Sequence, residues 1–150
     1  MVWGQGDKKM ERIKEVVLDA SVVVKWFSDE KATDSAVKVR DDHIAGRLTV
    51  VSPDLMIYEV SNALRYSPAL DAKDVEDATN SILDLQLDIV PPNEEMLRRA
   101  IIHAFKQGIT VYDACYLALA EFMGIEFITA DEKLYEKIKD LSFVKLLENF

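Results

Sequence analysis

Val16-Val17-Leu18-Asp19 is the stretch whose reading decides the fold. An apolar, β-branched run that stops at a carboxylate reads as a buried strand with an acid at its C-terminal edge. Phe127-Ile128-Thr129-Ala130-Asp131 repeats the pattern near the other end of the chain. Strands apolar along their whole length belong to a parallel sheet covered on both faces, and ligands bind such sheets at the carboxyl ends of the strands. Glu59 and Asp113 stand near the starts of two helical patterns. Carboxylates that converge on one edge repel one another unless a cation neutralises them, and their oxygens suit Mg²⁺ or Mn²⁺.

Outward from these runs the chain alternates. Strands are expected over residues 15–19, 48–51, 87–90, 126–129 and 143–147. Helices are expected over 22–27, 33–45, 71–85, 112–123 and 132–139. Another helix starts at Ser52-Pro53, with serine as cap and proline in the first turn, and carries Met56, Val60, Ala63 and Leu64 on one face. A further helix is capped by Asn93 and ended by Gly108, with Met96/Leu97, Ala100/Ile101 and Ala104/Phe105 as a broad apolar stripe. Residues 112–123 are apolar almost all round and should form a central buried helix closed by Gly124. Five short strands and about seven helices fit one three-layer α/β/α domain.

At 150 residues the chain is long enough for one domain with a real core. No apolar stretch reaches the roughly 18 residues needed to span a bilayer. The first residues, Met1 to Asp7, have no apolar signal core, so a cytoplasmic protein is expected. Residues 1–14 read as a flexible leader and 15–150 as the folded domain; Met10 offers an internal start. Cys115, the single cysteine, sits in an apolar helix and reads as a small buried hydrophobe. His43 and His103 are in no ligand-spaced motif, so a structural zinc site is not expected; His103 reads as a surface or core-edge residue. The formal charge of −9 argues against a simple nucleic-acid-binding module. It leaves room for an enzyme that meets a nucleic acid through a metal and a few basic side chains, of which Lys25, Lys38, Arg40, Arg47 and Arg65 are candidates.

Each acid has a plainer reading. Asp113 and Thr110 could form a capping box. Asp131 could cap the helix after it. Glu59, one turn into a helix, could serve the dipole. Asp19 is hardest to explain away, though Asp19-Ala20-Ser21 could still cap the next helix. Spacing adds supporting groups. Asn62 lies one turn after Glu59 and is expected to hydrogen-bond it or a ligand. Thr129 points to the same side of its strand as Asp131, and Ser21 can donate from the first loop.

Taken together, Val17-Leu18-Asp19-Ala20-Ser21-Val22, Glu59-Val60-Ser61-Asn62-Ala63-Leu64, Thr110-Val111-Tyr112-Asp113-Ala114-Cys115-Tyr116-Leu117-Ala118-Leu119-Ala120 and Phe127-Ile128-Thr129-Ala130-Asp131 resemble the PIN-domain family, in particular the VapC-type toxins of toxin–antitoxin pairs. The resemblance covers the chain from about Val16 onward. It implies a five-stranded parallel sheet in the order 3-2-1-4-5, which sets Asp19 beside Asp131 at the topological switch point. It implies that Asp19, Glu59, Asp113 and Asp131 form the acidic cluster, with Ser21 and Thr129 supporting it. It further implies an RNA substrate, a cognate antitoxin protein and a homodimer, with no membrane partner.

The function expected is a Mg²⁺- or Mn²⁺-dependent endoribonuclease. Mg²⁺ keeps several waters and takes one or two direct carboxylates. Asp19 and Asp113 are the expected principal ligands, direct or through water. Asp131 and Glu59 are expected to hold metal waters or to orient the attacking water. A phosphatase working through an Asp-x-Asp pair is disfavoured by Ser21 at the third position. A receiver domain is disfavoured by Val90-Pro91-Pro92 where its aspartate belongs. An inactive interaction module with the same fold stays open as the alternative.

Overall fold

The computed structural model describes residues 12–150. Its sheet has five parallel strands in the order β3-β2-β1-β4-β5. These are β1 (Lys14–Leu18), β2 (Leu48–Pro53), β3 (Asp88–Val90), β4 (Glu126–Thr129) and β5 (Val144–Leu146). Strand β1 is central because Val16, Val17 and Leu18 are buried completely, which only a strand covered on both faces permits. The helices are α1 (Ala20–Val23), α2 (Thr33–Ile44), α3 (Leu55–Arg65), α4 (Ala72–Asp84), α5 (Glu94–Gln107), α6 (Val111–Met123) and α7 (Glu132–Ile138). The result is the three-layer α/β/α arrangement expected.

Helix α6 packs on β1, β2 and β4 and carries α5 alongside it. Its middle, Tyr116 to Ala120, is buried, and the Tyr116 ring stacks on Phe127 of β4 at 6.1 Å between centroids. That contact ties the helix bearing Asp113 to the strand leading to Asp131. Gly108 and Gly124 end α5 and α6 at φ of 66° and 68°, left-handed conformations that glycine adopts without steric cost. Asn93 caps α5 by accepting the Met96 N–H at 2.9 Å.

Four expectations need correcting. Ser52 and Pro53 do not start a helix; they extend β2, pairing with Ile89 and Val90. Ser52 is fully buried and its hydroxyl donates to the Leu18 carbonyl at 2.8 Å. A cross-strand acceptor therefore took the hydroxyl that a cap would have used. Helix α3 starts two residues later, after Asp54. The helix expected over 22–27 is a turn of α-helix followed by a 3-10 turn, Val24–Phe27. The stripe on α5 is only half buried. Met96, Ala100 and Ala104 face inward, while Leu97, Ile101 and Phe105 are exposed. Strand β1 runs from Lys14, level with Leu48, to Leu18, one residue ahead of the strand expected over 15–19. Residues 1–11 of the expected leader lie outside the described residues.

Among the described residues no helix is long and apolar enough to cross a membrane. His43 bridges two elements: it accepts the Val50 N–H on Nδ1 at 3.0 Å, so Nε2 carries the proton and donates to the Leu85 carbonyl at 2.9 Å. His103 is more buried than expected and pairs with Glu121 at 3.0 Å. Both histidines thus have structural partners.

Candidate active site

Asp19 follows β1 directly and has the extended backbone of a helix N-cap, yet its side chain makes no cap bond. Its carboxylate turns instead to two hydroxyls. Ser21 Oγ donates to Oδ1 at 2.5 Å and Thr129 Oγ1 donates to Oδ2 at 2.6 Å. Each hydroxyl in turn accepts a backbone N–H, from Ala130 at 2.9 Å and from Asp131 at 3.1 Å. Both hydroxyl protons are therefore committed to the carboxylate, and one lone pair of each oxygen to the turn that leads into α7. The register explains the meeting. Leu18 pairs with Ile128, so the next residues, Asp19 and Thr129, stand level where adjacent strands end. The plainer reading of Asp19 as a helix cap is thereby set aside.

The other acids combine structural duty with access to the same space. Asp131 caps α7, accepting the Leu134 N–H at 3.0 Å, so its cap reading holds. Thr110 Oγ1 accepts the Asp113 N–H at 3.0 Å, so the threonine caps helix α6. Glu59 projects from α3 and accepts the Tyr116 hydroxyl at 2.5 Å. All four acids line one open cleft of about 400 Å³, together with Ser21 and Lys25. The structure brings the whole predicted acidic set together at the C-terminal edge of the sheet.

Charge in this cleft is poorly compensated. Asp19 is pushed from the ordinary 3.8 up to about 7. Burial is the main cause; the Ser21 and Thr129 hydroxyls oppose it, and Asp113 and Asp131 add repulsion. Glu59 is held above the usual range, chiefly by burial, with Tyr116 opposing. Asp113 is raised by burial and then by Asp131. Such shifts mark a site that would gain from a bound cation.

An all-oxygen donor set of carboxylates and hydroxyls suits Mg²⁺ or Mn²⁺ rather than zinc. Among the described residues no three His, Cys, Asp or Glu side chains are close enough to enclose an ion. The fit is thus to a strongly hydrated ion held partly through water, the habit of Mg²⁺.

One supporting residue is misplaced. Asn62 is exposed and takes no part in the cleft. At about 100° per residue, position i+3 falls to one side of Glu59 and i+4 to the other; the cleft takes the second, Ala63. The partner of Glu59 is Tyr116, which the residue pattern did not single out. Its signal was a hydroxyl inside an apolar helix, one turn after Asp113. Of the basic candidates only Lys25 reaches the cleft. It is buried and donates to Glu30 at 2.8 Å and to the Lys31 carbonyl at 2.6 Å. Lys38, Arg40 and Arg47 are tied to Asp42, Asp41 and Asp42, and Arg65 lies over the Tyr66 ring.

The model of the PIN domain matches residues 16–140. The chain belongs to the PIN domain family. Two relatives come from Pyrobaculum aerophilum. Ribonuclease VapC3 is 30% identical over 131 residues, 85% of this chain and 97% of the relative. Exonuclease VapC9 is 30% identical over 128 residues, 83% of this chain and 93% of the relative. A toxin–antitoxin complex from Klebsiella pneumoniae contains a chain of the same fold, with a TM-score of 0.67 at 15% identity over 90% of this chain and 99% of that one.

Proposed function

We propose that this PIN domain is a Mg²⁺- or Mn²⁺-dependent endoribonuclease and the toxin of a toxin–antitoxin pair. The observation that carries the reading is the single cleft lined by Asp19, Glu59, Asp113 and Asp131 at the sheet edge. The names of the two relatives, a ribonuclease and an exonuclease, support the chemistry.

Asp19, Asp113 and Asp131 would hold the cation, directly or through water. Bound there, the ion would act as a Lewis acid that makes water a better nucleophile and spreads the charge developing on the phosphate. The protein's own groups do the rest. Ser21 and Thr129 keep the Asp19 carboxylate facing the cleft without consuming it in a cap. Glu59, which accepts the Tyr116 hydroxyl, would accept a proton from the attacking water. Water would add to phosphorus as the bond to the 3′-oxygen breaks, the leaving oxygen would take a proton from solvent water, and the products would carry a 5′-phosphate and a 3′-hydroxyl. Neither histidine lines the cleft, so no imidazole is at hand to activate a ribose 2′-hydroxyl.

A closed circle of single-stranded RNA separates cutting within a chain from cutting at its ends. In Mn²⁺ the circle should be opened to a linear product. A circle left intact while linear RNA is shortened would make this PIN domain an exonuclease.

The acidic cleft also suits a protein partner that inserts a basic side chain, an arginine above all. The exposed Leu97, Ile101 and Phe105 on α5 suit a second copy of the chain, since apolar rows of this kind mark protein contacts. Co-expression with a cognate antitoxin should relieve growth inhibition and yield a complex with two copies of this chain by mass. A chain harmless on its own despite measurable nuclease activity would remove the toxin role and leave the enzyme.

A further inference from the structure

A second hollow, of about 280 Å³, adjoins the acid cleft and shares Asp113 and Asp131 with it. Its remaining wall includes Gly108 and Thr110 at the α5–α6 turn and two lysines of α7, Lys133 and Lys137. The lysines are four residues apart, hence on one helical face. Both are exposed. Lys137 Nζ donates to the Gly108 carbonyl at 3.2 Å. Among the described residues neither has an ion-pair partner within 4.0 Å, although most of the other basic side chains do, among them Lys139, the C-cap residue just after α7.

A chain of net charge −9 repels a polyanion at long range. Basic side chains already neutralised by acids do little to offset this. Two lysines without an ion-pair partner among the described residues, beside the acid pair, are therefore in the right place for a backbone phosphate. Thr110 adds to the wall, and the 13-residue helix α6 starts just after it, with its positive end there.

We propose that this hollow is a backbone-phosphate subsite, in which Lys133 and Lys137 bind the RNA phosphate next to the one being cleaved. This rests on the ribonuclease reading and assigns that enzyme a path for its substrate: the strand crosses the acids and continues over the face of α7. It also replaces the basic candidates of the sequence, most of which are paired elsewhere.

The test uses the full chain in two forms. The Asp19→Asn protein reads binding of a fluorescent single-stranded RNA without turnover, and the active protein reads cleavage in Mn²⁺. In the binding assay Lys133→Ala with Lys137→Ala should raise Kd about tenfold, near the loss of two phosphate contacts. The plot of log Kd against log salt should become shallower by about 0.7 for each lysine removed. In the active protein the loss should appear in KM. Replacing both lysines by arginine should restore binding. Lys139→Ala, which removes the same charge just past the end of α7 and away from the hollow, should change neither slope nor KM. Lys133→Ala alone is the cleanest probe, because no bond of Lys133 to the described residues would be lost. An unchanged Kd and salt slope in the double variant, or an equal effect from Lys139→Ala, overturns the subsite. If lysine-dependent RNA binding is seen but the active protein cuts no RNA, the ribonuclease reading fails and the phosphate subsite stands.

Discussion

Asp19→Asn should lower RNA cleavage by about 10³-fold, the upper scale for removing one preorganised electrostatic group, and should leave the fold intact. The substitution keeps the shape of the side chain and removes its charge. Asparagine can still accept from one hydroxyl through Oδ1, while its amide donates to the other, whose remaining lone pair can receive it. The metal-free variant should even be more stable than the parent above neutral pH. Burial holds Asp19 up at about 7 instead of 3.8; at about 1.4 kcal/mol per pH unit, ionising it in the fold costs on the order of a few kcal/mol. A residue that destabilises the fold and is needed for activity is a functional residue. Cleavage assays paired with thermal unfolding in EDTA measure both halves. Near-normal turnover would remove Asp19 from the site. A variant that does not fold would make its two hydroxyl bonds structural.

The same buried acid sets a pH dependence. Its folded pKa lies above its unfolded value, so the stability it contributes is fully present below about 4 and lost as pH rises through about 7. Glu59 and Asp113 are raised too and act in the same direction. Glu30, lowered by its bond to Lys25, acts oppositely and loses its contribution as pH falls. The difference between the parent and Asp19→Asn isolates Asp19 from these. In EDTA the parent should lose stability relative to the variant between pH 4 and pH 7, and not regain it above. Mg²⁺ or Mn²⁺ should reverse the loss near neutral pH, by roughly 2.7 kcal/mol at a hundred times its dissociation constant. The gain should fade as protons compete for the carboxylates. A melting temperature indifferent to millimolar Mn²⁺ at pH 8 would count against a cation in the cleft.

Much of this site could be read from residues because its acids end strands or open helices. Asp19 and Asp131 each follow an apolar run, and the parallel pairing of β1 with β4 makes their meeting a matter of register. Thr129 follows from the same strand geometry. What could not be read depends on rotation and on neighbours distant in sequence. Asn62 failed because its side of α3 turns away from the cleft. Tyr116 was missed because a tyrosine within an apolar helix reads as core, and only α3 packed nearby makes its hydroxyl a partner for Glu59. Ser52 misled because a serine–proline pair has the chemistry of a helix start, whereas the Leu18 carbonyl of a neighbouring strand captured the hydroxyl. Lys133 and Lys137 carry no pattern of their own. Their interest comes from the hollow they border and from the pairing of most other bases.

The most direct test of the central claim, that the acid cleft cleaves RNA by metal-assisted attack of water, is the chemistry of the new ends. A single-stranded RNA would be cut in Mn²⁺ and in excess EDTA, and the products labelled enzymatically at each end. The account predicts 5′-phosphate and 3′-hydroxyl ends in Mn²⁺ and no cleavage in EDTA. Products ending in a 2′,3′-cyclic phosphate, or cleavage that survives EDTA, would contradict it.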